Sequence, residues 1–434
     1  MLAFWGLSCI VVLLILIMTK RISVIVALVL VPIFFGLVAG HGTELGGYIV
    51  AGLKSVAPTG IMLTFAILYF SVMNDAGMFD PIIKGIIKFG GNDPVKVAVG
   101  TAIIAMVAHL DGSGASTFLV CIPAMIPIYD RLGMDRIVLA CMAALGAGIM
   151  NVVPWGGPAL RASTSLNIEM TDLFNPVMPA VGAGMITVIC IGVYLGKKEK
   201  QRLGDTIPTN ESIDTALMLE PEEENNLKRP KLVIFNVILT IVTITTLVMK
   251  LLPLPAVFVV ALAIALLVNY PNVKEQQTRI TAHGQAAILM ISIIFAAGVF
   301  TGILKNSGMI TALAESLVSF IPQSLGGQLP LLTAVTSMPA SLLFDPDSYY
   351  FGVLPVLSST AEALGASGVE VARGAILGQM TTGFPVSPLT ASTFLLVGLA
   401  GVNLADHQKK TIPCAFVVTL VMTIVAVISG AISI

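Results

Sequence analysis

The segment His109–Thr117, which reads HLDGSGAST, constrains the fold most because it sets an acid, glycines and hydroxyl side chains between two short apolar runs. Those runs, Val97–Leu110 and Phe118–Tyr129, are 14 and 12 residues long, whereas a spanning helix needs about 20. Irregular backbone survives at membrane depth only when it is buried in protein or lines a wet cavity. We therefore predict a re-entrant helical hairpin over 97–129, with its tip facing a polar site.

Composition places the chain in a membrane. Of 434 residues, 56% are hydrophobic and only 11% are charged, and the mean hydropathy is +0.96, outside the range of soluble domains. A net charge of −1 gives no basis for nucleic-acid binding. The five cysteines lie in apolar runs without paired spacing, which indicates neither a disulfide framework nor a thiolate metal site. We expect an all-α polytopic membrane protein.

A second copy of the hairpin pattern occurs at 330–360, where Asp345, Asp347 and Ser348 form the tip. The sequence around the two copies also matches at a nearly constant offset, for example Met73–Met78 with Leu304–Met309 and Ala144–Gly146 with Ile376–Gly378. The pattern predicts two homologous halves, 1–196 and 232–434. The linker 197–231 between them contains an acidic run, and it is either a solvated loop or a regulatory segment.

Ten apolar runs are long enough to cross the membrane, in addition to the two hairpins. Most of the 23 lysines and arginines fall in alternate connections, which the positive-inside rule assigns to the cytoplasm. We therefore predict that the linker is cytoplasmic and that both termini lie outside. The hairpins then enter from opposite sides, which is an inverted repeat. Amphipathic runs at 80–89 and 310–321 precede the hairpins, either as interfacial arms or as ordinary surface helices.

Two long apolar segments, 137–163 and 369–402, are interrupted by proline and glycine. The first interruption is Asn151–Pro158 and the second is Gly383–Thr393. The ends of broken helices carry partial charges, so that their N-termini attract carboxylates and their C-termini attract cations. Paired broken segments are the best sequence pointer to the binding site of a transporter.

Acidic side chains at membrane depth are expensive and are therefore candidates for function. We assign Asp111 to proton coupling or metal binding, and Asp345, Asp347 and Asn151 to oxygen ligands for a metal such as Mg²⁺ or Ca²⁺. Local capping of the returning arm is the alternative for Asp345 and Asp347. His109 stands two residues from Asp111, where it either shares the proton of that acid or packs in the core.

Arg161 is the one basic residue predicted inside a span, where it either grips a substrate carboxylate or neutralises Asp111. Hydroxyls and glycines of the tips and interruptions complete the candidate substrate-binding set: Ser113, Gly114, Ser116, Thr117, Gly156, Gly157, Ser348, Ser387, Thr390, Ser392 and Thr393. No nucleophile–base pair or phosphate-binding motif accompanies them, so we expect no enzyme.

Four stretches carry a family resemblance: Met18–Arg21, the HLDGSGAST tip, Asn151–Thr164 and Ser387–Gly398. They resemble the bacterial citrate–metal:proton symporter family, within the wider ion transporter superfamily, and the likeness covers essentially the whole chain. Superfamily members use Ser-Asn-Thr tips, and this chain departs from them with Asp-Gly-Ser-Gly and Asp-Pro-Asp-Ser.

The resemblance implies uptake of citrate, complexed with Mg²⁺ or Ca²⁺, together with protons across the bacterial plasma membrane, without a tightly bound cofactor. It also implies a homodimer with fixed scaffold domains and transport domains that move as elevators. Two alternatives remain at this stage. A cation/proton antiporter of the same superfamily would need no organic anion, and a membrane-embedded enzyme would change its substrate chemically.

Overall fold

The structure, a computed structural model, describes residues 1–19, 21–204, 226–249, 251–318 and 323–433. These residues form helices and connections and contain no β-strand, so the described chain is all-helical as predicted. Most of the predicted linker, residues 205–225 with its acidic run, lies outside the described residues. The end of the second amphipathic run, residues 319–321, lies outside them too.

The first part of the chain contains ten described α-helices. Their bounds are α1 Leu2–Met18, α2 Val24–Val38, α3 Leu45–Asp75, α4 Asp80–Gly90, α5 Pro94–Ala108, α6 Gly114–Leu132, α7 Arg136–Met150, α8 Gly157–Leu166, α9 Met170–Phe174 and α10 Met178–Leu203.

After residues 205–225, nine further α-helices are described. They are α11 Val233–Val248, α12 Leu254–Asn269, α13 Val273–Asn306, α14 Met309–Val318, α15 Leu329–Ala340, α16 Leu354–Ala363, α17 Gly368–Ile376, α18 Ala391–Ala400 and α19 Leu404–Ile428. A π-helical turn over Ser348–Val353 leads into α16.

Seven of the described helical segments are long and apolar enough to cross a membrane, which identifies a multi-pass membrane protein. Two of them, Pro94–Asp111 and Gly114–Leu132, are the arms of the first predicted hairpin, and at 18 and 19 residues they exceed the predicted 14 and 12. The arms are longer because α5 begins at Pro94, capped by Asp93, and α6 continues to the left-handed Gly133. By length alone either arm could cross, so the re-entrant path stays a prediction.

Short polar side chains start many of the helices. Ser23, Asp93, Asp135 and Asn403 each accept a hydrogen bond from a backbone N–H in the first turn of the helix that follows. These bonds matter in lipid, where the free N–H groups at a helix start have no water to bond with. These capping residues therefore determine where the four helices begin.

The longest helices, α3 and α13, cross with their backbones in contact. A Cβ atom added to Gly52 would lie 2.0 Å from the carbonyl oxygen of Gly298, and one added to Gly302 would lie 2.5 Å from that of Tyr48. Small residues allow this approach, and tight packing of this kind drives helix association in membranes. The pair α3–α13 therefore forms a closely packed centre, against which α2 also packs.

The predicted tips and interruptions belong to helices that pack with one another in two similar groups. In the first group α5 contacts α6, α7 and α10, and in the second α15 contacts α16, α17 and α19. The groups touch through α10 with α19 and through α6 with α18. The turn His109–Asp111 at the first tip contacts α3 and α7, and the π-helical turn Ser348–Val353 contacts α1 and α8. Of these, α7 and α8 are the helices on either side of the first interruption.

We predict that Gly52→Ala destabilises the protein by at least about 1–3 kcal/mol, because the new methyl group meets a carbonyl oxygen of α13 and forces the helices apart. The measurement is the apparent Tm in detergent. Gly47→Ala on the same helix is the control: its Cβ would meet nothing within 4 Å, so its Tm should stay the same or rise slightly. Equal Tm values for the two variants would contradict the backbone contact.

Candidate functional site

The first tip is a tight turn built around Asp111. After α5 a short 3₁₀ turn runs to Asp111, Gly112 takes a left-handed φ of +73°, and Ser113 caps α6. The carboxylate of Asp111, only 8% exposed, accepts hydrogen bonds from the backbone N–H of Ser113 at 2.8 Å and from the hydroxyl of Ser116. The positive end of the α6 dipole also favours this charge.

His109 connects the first tip to both interruptions. Its Nδ1 lies 2.7 Å from the hydroxyl of Thr117, its Nε2 lies 3.1 Å from the side-chain oxygen of Asn151, and its ring stacks on Phe384 with centroids 5.6 Å apart. The sequence left two roles open for His109, sharing the proton of Asp111 or packing in the core, and its ring nitrogens bond to Thr117 and Asn151 rather than to Asp111. In this arrangement His109 positions the tip.

The first interruption separates α7 from α8 where the sequence predicted a break. Gly156 is needed for the tight turn, because an added Cβ atom would lie 2.0 Å from the carbonyl oxygen of Asn151. The amide of Asn151 donates to the carbonyl oxygen of Met380 at 2.5 Å, and Gly157 lies against the Met380 side chain. Trp155 donates to the Leu110 carbonyl oxygen at 2.7 Å, which fixes the interruption to the first tip.

The second interruption separates α17, which ends at Ile376, from α18, which begins at Ala391. It therefore starts before Gly383, the first residue of the predicted break. Met380 has a left-handed φ of +56°, a conformation that costs a residue with a side chain about 1–3 kcal/mol. Contacts with the rest of the protein hold this strained conformation, since Asn151, in the other half of the chain, donates a hydrogen bond to the Met380 carbonyl oxygen.

The predicted hydroxyls of the second interruption donate to the backbone. Ser387 donates to the Ser341 carbonyl oxygen, and Thr390 and Thr393 both donate to that of Phe384, at 2.6 and 2.8 Å. Ser392 instead faces the first tip: a Cβ atom added to Gly114 would lie 3.0 Å from its oxygen.

The second tip repeats the turn of the first. The carboxylate of Asp345 accepts bonds from the backbone N–H groups of Asp347 and Ser348, at 3.1 and 3.0 Å, and from the Ser348 hydroxyl at 2.5 Å. This is the local capping that the sequence left open as an alternative to metal binding. In both tips, an acidic side chain accepts hydrogen bonds from the first residues of the arm that follows it.

Arg161 contacts the second tip. Its Nε donates to Oδ1 of Asp347 at 2.7 Å, and the two side chains are 7% and 13% exposed. One possibility from the sequence was that Arg161 neutralises Asp111. It pairs with Asp347 instead, because α8 faces the second tip. Asp347 in turn uses one carboxylate oxygen on this guanidinium.

Several residues at the site gave no clear signal in the sequence. Gln379 joins the second tip through the Ser341 hydroxyl, and the Tyr350 hydroxyl donates to its carbonyl oxygen at 2.8 Å.

Away from the interruptions, Asp75 on α3 accepts bonds from Arg279 at 3.0 Å and from His283 at 2.7 Å, both on α13. The one usable signal was the repeat itself, in which Asp75 corresponds to Asn306, so that only one copy carries an acid.

Taken together, two tips and two interruptions form one contiguous polar region. The N-termini of α6 and α8, several backbone carbonyl groups and the carboxylate of Asp111 all lie in it. In the part of the chain that the structure describes, no three His, Cys, Asp or Glu side chains gather into a metal-binding group. The predicted metal ligands are instead divided between the first tip, the first interruption and the second tip. Such a region can hold a small anion between helix N-termini.

A buried polar region between broken apolar helices defines a membrane transporter rather than an enzyme, and sequence comparison agrees. The model of the Citrate transporter family matches residues 11–378. A citrate transporter of Bacillus subtilis (strain 168) is 49% identical over 433 residues, with all of both chains covered. The Mg(2+)/citrate complex secondary transporter of the same strain is 45% identical over 438 residues, again with full coverage.

This chain belongs to the citrate transporter family, as its sequence motifs predicted. Among solved structures it is similar to the crystal structure of the Alcanivorax borkumensis YdaH transporter. The TM-score is 0.61, 90% of this chain and 89% of that chain are covered, and the sequence identity is 15%, so this likeness concerns the fold.

We predict that Arg161→Met lowers the free energy of unfolding by about 3–5 kcal/mol, because it leaves Asp347 buried without its cation. Adding Asp347→Asn to that variant should restore much of the loss, since the uncompensated charge is removed. Thermal unfolding of the three proteins in detergent measures both effects. A single variant as stable as the wild type would contradict the buried ion pair.

Proposed function

We propose that the protein imports citrate as a complex with Mg²⁺ or Ca²⁺, in symport with protons. The observation that carries this proposal is the convergence of both tips and both interruptions on one polar region, in a chain of the citrate transporter family. The 45% identical relative named as a Mg(2+)/citrate complex secondary transporter supports the metal complex as the substrate.

The charge of the substrate supports both the metal and the proton. Fully ionised citrate carries three negative charges, and each charge moved inward against 100 mV costs about 2.3 kcal/mol. A divalent cation reduces the complex to one negative charge. One accompanying proton makes import electroneutral, and two protons allow the membrane potential to drive it.

Within this mechanism the two tips have different tasks. Arg161 pairs with Asp347 of the second tip, whereas Asp111 and Asp345 form no salt bridge among the described residues. An acid without a cation is the better proton carrier, because protonation then costs no ion pair. Asp111 is the more deeply buried of the two, and a buried charge is costly to carry across the membrane, so we assign proton coupling to Asp111. His109, proposed from the sequence for the same task, holds the tip in place through Thr117 and Asn151.

The remaining groups suit a metal–carboxylate complex. Ser113, Gly114, Gly156 and Gly157 lie at the N-termini of α6 and α8, where backbone N–H groups and dipoles favour carboxylate oxygens. Side-chain oxygens of the tips, with Asn151, suit a hard divalent cation. Because the metal arrives with the anion, the protein needs only part of its coordination shell.

We further propose inverted repeats and elevator transport, and the contacts within the two halves support the repeat. Equivalent helices make equivalent contacts, α5 with α7 and α10, and α15 with α17 and α19. We assign α3 and α13 to a fixed scaffold and the tip-bearing helices to a moving domain. A homodimer in the bacterial plasma membrane, with both termini outside and the linker cytoplasmic, completes the proposal.

We predict that uptake of labelled citrate into proteoliposomes falls to background when a chelator removes divalent cations, because the free trianion carries too much charge. Adding back excess Mg²⁺ should restore uptake, which controls for damage by the chelator. Undiminished uptake without divalent cations would contradict the metal complex. Cation efflux that needs no citrate would instead favour the antiporter.

We predict that Asp111→Asn abolishes accumulation of citrate under an imposed proton gradient, because the amide cannot carry the proton. Exchange of labelled for unlabelled citrate should persist, since it needs no net proton movement. Asp406→Asn, which removes an exposed acid in the first turn of α19, is the matched control and should accumulate normally. Gradient-driven accumulation by the Asp111 variant at the wild-type level would show that another group couples the proton.

A further inference from the structure

Two adjoining cavities lie between α3 and the C-terminal end of α8, and the second of them also reaches α13 and α16. Their volumes are about 370 Å³ and 380 Å³. Ser55 on α3 and Asn167 and Ile168 after α8 line both of them, so the cavities are two chambers of one crevice. Each volume falls in the range of small-molecule sites.

The crevice has a polar lining that includes Ser55, Thr164 and Asn167. Thr164 lines the first chamber but is only 1% exposed, so its side chain contributes little surface to it. Thr164 lies three residues after Arg161, on the same face of α8, and Arg161 holds the second tip. One helix face therefore joins the crevice to the polar region.

Charges of both signs line the crevice. Lys305 on α13 and Glu362 on α16 line the second chamber, and Glu169 lines the first. Within the described part of the chain, Lys305 and Glu362 form no salt bridge, so both charges are available to a ligand. A bare tricarboxylate would be repelled by the two acids. A metal–carboxylate complex offers carboxylate oxygens to the lysine and metal-bound water to an acid.

We propose that this crevice is a second binding site, which receives the metal–carboxylate complex before it reaches the interruptions. This inference rests on the proposed function and extends it. Lys305 binds a carboxylate of the complex, and Glu362 accepts hydrogen bonds from water on the metal. The complex then passes along α8 to the polar region.

The test measures initial uptake into proteoliposomes against the concentration of Mg²⁺–citrate. Lys305→Gln should raise KM about fivefold, as expected for losing one partly exposed charge contact, and should leave kcat unchanged. Lys305→Arg keeps the charge and should keep the wild-type KM. The control Lys54→Gln removes an exposed lysine of α3 outside the crevice lining and should change neither constant.

Glu362→Gln decides which ligand the crevice receives. For the metal complex this change should raise KM, whereas for a free anion it would lower KM by removing a repulsive charge. An unchanged KM for Lys305→Gln, an equal effect of Lys54→Gln, or a lowered KM for Glu362→Gln would each overturn this inference alone. A wild-type protein that takes up no Mg²⁺–citrate would overturn the proposed function and this inference with it.

Discussion

Backbone hydrogen bonding is the constraint on which the rest of this structure depends. In lipid, the carbonyl and N–H groups that a broken helix frees must find partners in the protein. Here they find them across the molecule: Asn151 reaches the Met380 carbonyl, Trp155 reaches that of Leu110, and Tyr350 reaches that of Gln379. Each interruption thus forms hydrogen bonds with another segment, so the tips and interruptions hold one another in place.

The acidic side chains of the two tips are partly alike and partly different. Both use an acid, Asp111 or Asp345, to bind the start of the returning arm. Only the second tip adds another acid, Asp347, and a buried arginine neutralises it. Each tip therefore keeps one acid without a cation, and of these Asp111 is the more deeply buried. That difference in burial is the basis for assigning the proton to the first tip.

The sequence predicted what depends on local chemistry. The turn at Asp111, the break at Asn151 and the family could be found because glycine, proline and acids are conspicuous in apolar surroundings. Partners far along the chain could not be predicted this way. Arg161 and Asp347 are 186 residues apart, and which tip α8 faces is a matter of tertiary packing. The second interruption was placed late because the residues around Met380 lack proline and read as helix.

The most direct measurement of the central claim is an experimental structure of the protein with citrate and Mg²⁺ bound. Our account predicts density for the complex between the turn at Ser113, the first interruption at Gly156 and the second tip, in contact with the N-termini of α6 and α8. Density confined to a surface remote from both tips and both interruptions, with the polar region filled only by water, would contradict it.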